Sequence, residues 1–162
     1  MPPATCAATY AIALGANIRG RHGSPERALA VALEAIGGVV AASPVIGSAP
    51  MGPSRRRYAN AAALIATTES PPALLARLKR IERLFGRRGG RQWGARALDL
   101  DIILWSEGPW SSSGITIPHV AFRDRTFVLR PLAAIVPDWR DPLSGRTVRQ
   151  LLHLVDRRRP RS

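Results

Sequence analysis

Tyr10, Ile12 and Leu14 alternate with Ala11 and Ala13, a period of two that predicts a strand with one bulky face. Gly15 to Gly23 follows as a loop. Ser24-Pro25-Glu26 predicts a helix start, with Ser as N-cap, Pro in the first turn and an acid near the positive end of the helix dipole. Leu29, Leu33 and Ile36 share one face of that helix, and Gly37-Gly38 ends it. Val39 to Ile46 predicts a strand interrupted near Pro44, and residues 47–57 a Gly/Pro/Ser/Arg loop. Tyr58 to Thr68 is rich in alanine, which favours helix, but helix signals restart at once at Ser70-Pro71-Pro72, so the segment is assigned as a strand. In the helix after it, Leu74, Leu78, Ile81 and Phe85 share a face ahead of Gly86.

Arg87 to Arg96 has no apolar period and contains Gly89-Gly90, so it reads as a basic loop that can move. Ala97 to Trp105 alternates as a strand, and residues 106–114 read as a flexible connection. Phe127 to Ile135 predicts a helix in which Pro131 fits only in or near the first turn. Thr147 with Gln150 forms a capping box ahead of Leu151, Leu152 and Val155. The order strand, helix, strand, strand, helix, strand is the split βαβ pattern of a ferredoxin-like α+β fold, an α/β/α sandwich around a mainly antiparallel sheet. No internal repeat is present, and residues 1–162 fit a single domain, with 157–162 as a basic tail frayed into solvent.

Composition narrows the class. Apolar residues make up 46% and charged residues 22% of the chain, the balance of a globular protein. Apolar stretches fall far short of the ~18–20 residues of a membrane helix. No basic residue precedes Arg19, unlike the charged start of a secretory signal, and Cys6 has no partner for an internal disulfide. A reducing cytoplasm is the expected compartment. The 24 basic residues outweigh 11 acidic ones for a net charge of +13, which favours an anionic partner: nucleic acid, a membrane surface or a phosphorylated small molecule. All the basic residues except Lys79 are arginine, whose planar fork suits phosphate.

The strongest chemical constellation is Leu98-Asp99-Leu100-Asp101-Ile102. On a strand, residues two apart share a face about 6.6–7 Å apart. Leu98, Leu100, Ile102 and Leu104 are thus expected in the core, with Asp99 and Asp101 projecting together from the other face. Two carboxylates so placed repel each other unless a counter-charge intervenes, and oxygen-only ligands select Mg²⁺ over zinc. The plain alternative is a solvated strand face paired with arginines. The arginines just before the strand, Arg87, Arg88, Arg91 and Arg96, tilt the balance towards phosphate chemistry, which works by positioning and by neutralising charge with metal and Arg. No Gly-x-x-x-x-Gly-Lys-Ser/Thr or Gly-x-Gly-x-x-Gly loop occurs. His22, His119 and His153 lie far apart, which argues against zinc, and His119 is a candidate phosphate or nucleotide contact. Tyr58, Phe127 and Trp93 are candidates for stacking a flat ring, although each alone is as readily a core residue.

The stretches Tyr10-Ala-Ile-Ala-Leu-Gly-Ala-Asn17, Tyr58-Ala-Asn60-Ala-Ala, Arg91-Gln-Trp-Gly-Ala-Arg-Ala-Leu-Asp-Leu-Asp-Ile102 and Ile117-Pro-His119 through Arg125-Thr-Phe127-Val-Leu-Arg-Pro-Leu132 resemble the 6-hydroxymethyl-7,8-dihydropterin pyrophosphokinases of folate biosynthesis, in order, over roughly residues 8–154. The resemblance implies transfer of the β,γ-pyrophosphate of ATP to the pterin hydroxymethyl group, with AMP released. It implies that Asp99 and Asp101 hold two Mg²⁺ ions, and that Arg96 with Arg87, Arg88 and Arg91 clamps the phosphates while Trp93 seals the site. Tyr58 and Phe127 would sandwich the pterin, Asn60 would bond its edge, and the backbone around Ser48, Ala49 and Met51 would complete that pocket. Glu82, Ile102, Thr116, His119 and Arg125 match nucleotide-contacting positions. Departures from the family pattern are Ala16 for a hydroxyl, Ala95 and Ala97 for Pro and Thr, Gln92 between Arg91 and Trp93, and Gly114 for a basic residue. The expected partners are ATP and the pterin, with a monomer and no nucleic acid or membrane. The competing readings are a basic ferredoxin-like module that binds RNA and a family member that has lost catalysis.

Overall fold

The structure, a computed structural model, describes residues 6–17, 25–48, 58–87 and 98–158. In chain order the elements are β1 (Ala8–Asn17), α1 (Pro25–Ile36), β2 (Val39–Ala42), β3 (Ile46–Ser48), β4 (Tyr58–Thr67), α2 (Pro71–Arg87), β5 (Leu98–Trp105), β6 (Trp110–Ser112), β7 (Ile115–Ile117), a 3-10 turn (Phe122–Asp124), α3 (Thr126–Ile135) and α4 (Val148–Arg158). The main sheet runs β2-β4-β1-β5, with β3 on the same flank of β4 as β2, and every pairing is antiparallel. Pro44 divides the predicted 39–46 strand into β2 and β3. Ser43 bridges the break: its N–H donates to the Ala62 carbonyl at 2.9 Å and its Oγ accepts the Ala62 N–H at 2.9 Å.

Alternation along the strands builds two cores. Tyr10, Ile12, Leu14, Ile65, Leu98, Leu100 and Ile102 face α1 and α2 and pack with Leu29, Ala32, Leu74, Leu78 and Ile81. Ala11, Ala62, Ile103 and Leu104 face α3 and α4 and pack with Phe122, Val128, Leu129, Leu132, Val148 and Leu151. Leu104 thus leaves the face shared by Leu98, Leu100 and Ile102. A β-bulge places Ile102 opposite Ile12 but Leu104 opposite Ala11, and the extra residue turns Leu104 over. The same bulge brings Trp105 opposite Tyr10, and the two rings stack at 5.6 Å.

The helix ends follow local chemistry. Gly37 and Gly38 both have positive φ, which lets the chain turn directly from α1 into β2. Thr147 and Gln150 close the expected capping box, with bonds of 3.1 and 2.9 Å. Further expectations change: Gly15 to Asn17, expected as the start of a loop, continue β1 because they pair with Asn60 to Tyr58 of β4. Pro131 lies well inside α3, not in its first turn; it is buried, and packing against the sheet compensates for the backbone bond it removes. The 106–114 connection contains β6, which pairs with β7 as a hairpin, and Trp110 meets Trp105 edge-on at 5.7 Å. Arg157 and Arg158 form the last turn of α4 and are not part of a tail. No helix among the described residues is long and apolar enough to cross a membrane.

Candidate active site

Strand register assembles the site. Gly15 lies opposite Asp99 on one side and opposite Asn60 on the other, and Asn60 lies opposite Ile46. Residues directly opposite one another share a face, so Asp99, Gly15 and Asn60 form one row across three strands. The next row is Asp101, Ala13 and Ala62. This face carries α3 and α4, whose apolar cluster includes Ala62 and Ala11 with Ala13 packed against it. The helices therefore cover the rows from Asp101 upward, and the Asp99–Gly15–Asn60 row lies at the margin of that cover. Asp99 is exposed and Asp101 half-buried, and each carboxylate-bearing residue stands across from a residue no larger than alanine.

Gly15 belongs to this candidate row, and sequence reasoning did not single it out. A Cβ built there would lie 3.3 Å from Asn60 Oδ1. Only the register reveals this. Asn60 is buried at 7% exposure, whereas Tyr58, two residues earlier on the same face, is 38% exposed. Ser48 pairs in register with Tyr58. Phe127, in the first turn of α3, is 42% exposed, and the Arg125 guanidinium stands 5.7 Å above its ring. Arg125 is the N-cap of α3, with extended backbone and no side-chain cap bond. The core alternative for Tyr58 and Phe127 is set aside by this exposure. α3 packs on β4 and touches β3, the strand paired with Tyr58–Asn60.

The β5 edge supplies a second set of groups. Glu82 on α2 accepts the Leu100 N–H at 2.7 Å through Oε1 and pairs with Lys79 at 3.1 Å through Oε2. Leu100 therefore points its backbone N–H outward from the sheet, and the strand bulges just after Ile102. His119 donates its backbone N–H to the Ile103 carbonyl at 3.1 Å, and its Nδ1 accepts the Ala121 N–H at 3.2 Å. Thr116 is exposed on β7. His119 and the β7 strand that carries Thr116 thus lie against β5, and Asp99 and Asp101 lie on the sheet face of that strand. Ala49, Met51, Arg88, Arg91, Trp93 and Arg96 lie outside the described residues, as do the side chains of Ser48 and Arg87. Among the described residues no group of three or more His, Cys, Asp or Glu could hold a metal ion; Asp99 and Asp101 are two oxygen donors of the kind a hard cation takes.

Residues 11–137 match the 7,8-dihydro-6-hydroxymethylpterin-pyrophosphokinase family. A 2-amino-4-hydroxy-6-hydroxymethyldihydropteridine pyrophosphokinase of Pseudomonas aeruginosa is 37% identical over 147 residues, covering 87% of this chain and 88% of the relative. The Haemophilus influenzae protein of the same name is 40% identical, covering 80% of this chain and 82% of the relative. A Synechocystis relative of that name is 44% identical over 109 residues, a match spanning 67% of this chain and 56% of the longer relative. The crystal structure of Plasmodium falciparum HPPK-DHPS has the same fold, with a TM-score of 0.73 at 13% identity over 91% of this chain and 41% of that one. The chain belongs to the 7,8-dihydro-6-hydroxymethylpterin-pyrophosphokinase family, whose reaction carries pyrophosphate from ATP to the hydroxymethyl group of the dihydropterin in folate synthesis.

Proposed function

We propose that this chain catalyses that transfer at the Asp99–Gly15–Asn60 row, with two Mg²⁺ ions held by Asp99 and Asp101. The carrying observation is the carboxylate pair itself, two oxygen donors on one face beside a residue without a side chain. The donor set fits a hard divalent cation. Bound there, the ions supply neutralisation of triphosphate charge.

The chain's own residues do the positioning. Tyr58 and Phe127 are exposed aromatic faces for the pterin ring, and Asn60 bonds its edge. Ser48, Ala49 and Met51 close that pocket through their backbone. Ile102, Thr116 and His119 contact the nucleotide. Arg125 faces the phosphates, with Arg87, Arg88, Arg91 and Arg96 as their clamp, Trp93 as seal and Glu82 at the nucleotide end of β5. The pterin hydroxyl attacks the β-phosphorus in line; an oxygen–phosphorus bond forms as the bond from the β-phosphorus to the α-phosphate oxygen breaks, AMP leaves and the hydroxyl proton is released to water. No strong side-chain base is required, because holding the two substrates in line supplies most of the acceleration.

The partners in this reading are small molecules, and we place the enzyme in the cytoplasm as a monomer. An RNA-reading role finds less support. RNA-reading sheets of this shape display aromatics on central strands, whereas here both sheet faces carry helices, the central strands β1 and β4 present mostly alanine and glycine with Tyr58 only at the end of β4, and the aspartates lie on the edge strand β5. The test is product analysis with ATP, Mg²⁺ and 6-hydroxymethyl-7,8-dihydropterin. AMP formed only with pterin, and lost in Asp99→Ala and Asp101→Ala, is the expected result. ADP, or no turnover, would overturn the reading.

A further inference from the structure

Asp141 is wholly buried, yet it lies outside the site. Its carboxylate accepts Arg123 Nε at 2.6 Å and Nη2 at 2.8 Å, Ser144 Oγ at 2.6 Å and the Leu143 N–H at 3.1 Å. Four donors fix it, and the Arg123 fork is the charged pair among them. The segment around Asp141 is itself well tied. The Asp141 N–H donates to the Arg146 carbonyl, Gly145 donates back to the Asp141 carbonyl, and Arg140 Nη1 reaches the Gly145 carbonyl at 2.7 Å. Asp141 is therefore a firm anchor beside α4.

What it anchors is weak by itself. Arg123 sits in the one-turn 3-10 helix Phe122–Asp124, whose local bonds are long: Phe122 N–H to the His119 carbonyl at 3.4 Å and Arg125 N–H to the Phe122 carbonyl at 3.3 Å. A single 3-10 turn has poor hydrogen-bond geometry and little stability of its own. Two buried or half-buried contacts hold it, Phe122 in the α3–α4 cluster and the Arg123 fork on Asp141, while the pairing of Asp124 with Arg158 is exposed and long at 3.9 Å. The turn lies between His119 on one side and Arg125 and Phe127 on the other. Arg125 makes no side-chain cap bond; its N–H donates to the Phe122 carbonyl and its own carbonyl accepts from Val128 and Leu129, so its backbone joins the turn directly to α3.

We propose that Arg123 and Asp141 are a positioning pair for substrate binding, locking the 122–124 turn so that His119, Arg125 and Phe127 face their ligands together. The pair touches neither substrate. This proposal rests on the placement of ATP and pterin at those three residues. Its consequence is specific: loosening the pair weakens binding of both ligands and leaves the chemical step at saturation nearly intact.

The experiment measures equilibrium binding of 6-hydroxymethyl-7,8-dihydropterin and of a non-hydrolysable ATP analogue, with KM, kcat and melting temperature alongside. Arg123→Ala is expected to weaken both ligands about tenfold, in the range that a misplaced binding group costs, with kcat within about twofold. Arg123→Lys keeps the charge but loses the fork, and is expected to recover part of the affinity, between Arg123→Ala and the unaltered chain. If Arg123→Ala does not fold, Arg123→Lys decides alone by weaker binding at an unchanged kcat. A lowered melting temperature with unchanged affinities in the folded variants would make the pair merely structural and overturn the proposal. Failure of the unaltered chain to bind either ligand would instead overturn the functional reading, and the proposal with it.

Discussion

Glu82 Oε1 accepts the N–H of Leu100 at 2.7 Å, and Leu100 is the residue between Asp99 and Asp101. α2 thus holds the open edge of β5 midway between the two carboxylates. Removing the acceptor leaves an edge amide to water and frees the strand to shift. Glu82→Gln keeps an oxygen for Leu100 and is expected to retain AMP formation within about twofold. Glu82→Ala should lower it about tenfold, the low end for losing a hydrogen bond to a charged group, and raise the Mg²⁺ needed for half-maximal rate. A magnesium titration of both variants checks this; identical titration curves for Ala and Gln would show that the bond to Leu100 does not matter.

Gly15 separates Asp99 from Asn60, and its substitution probes the row without touching a charge. Its φ is not positive, so alanine suits the backbone. The added Cβ would meet Asn60 Oδ1 at 3.3 Å, close enough to push that amide by a few tenths of an ångström. Gly15→Ala should therefore fold with stability unchanged or slightly raised, by up to about 1 kcal/mol from reduced chain entropy. Its KM for the pterin should rise severalfold, with KM for ATP much less affected. Equal rises in both constants would remove Asn60 from the pterin pocket.

Much of this arrangement could be read from the chain and part could not, for identifiable reasons. The alternation at Tyr10–Leu14 and the aspartates in Leu98–Ile102 carry their period openly, so the strands and the carboxylate pair were legible. β4 required an argument, since its alanines favour helix; pairing on both sides with β1 and β2 overrides that preference. Leu104 defeated alternation because Ile102, Ile103 and Leu104 are all apolar, and nothing in such a run marks where a bulge falls. The β6–β7 hairpin is three residues per strand, too short to show a period. Gly15 and the Arg123–Asp141 pair are tertiary facts: the first needs strand register and the second joins residues far apart in the chain. Pro131 in α3 follows from packing, which local rules omit.

Tyr10 gives the fold an alkaline limit. Its ring is buried against Trp105, and its hydroxyl donates to the Glu69 carbonyl at 2.6 Å. Burial, then the negative charges of Glu69 and Glu107, push its pKa from 10.0 up to about 12. Between those values the unfolded chain releases the proton and the folded chain retains it, so the stability linked to Tyr10 is intact below about pH 10 and declines as pH rises towards 12. Tyr10→Phe keeps the stacking and loses the hydroxyl bond. It should be less stable than the unaltered chain at pH 8, by about 1 kcal/mol, with a flatter loss of melting temperature above pH 10. Parallel slopes for the two proteins would mean that other groups set the alkaline limit.

Phe127 and Val128 are neighbours with opposite expected roles, and the pair separates function from folding. Phe127 is 42% exposed and carries the Arg125 guanidinium over its ring, whereas Val128 is 6% exposed within the α3–α4 core. A half-exposed ring contributes modestly to stability, so Phe127→Ala should cost no more than about 1 kcal/mol. It removes one face of the proposed pterin sandwich and should raise the pterin KM at least about fivefold, since stacking on one aromatic face is worth ~1–3 kcal/mol. Val128→Ala deletes two methyl groups from a packed interior and should cost about 2 kcal/mol with the pterin KM little changed. Urea unfolding and steady-state kinetics on both variants give the comparison. A Phe127→Ala protein that unfolds as readily as Val128→Ala, with normal pterin KM, would return Phe127 to the core and leave Tyr58 without its partner.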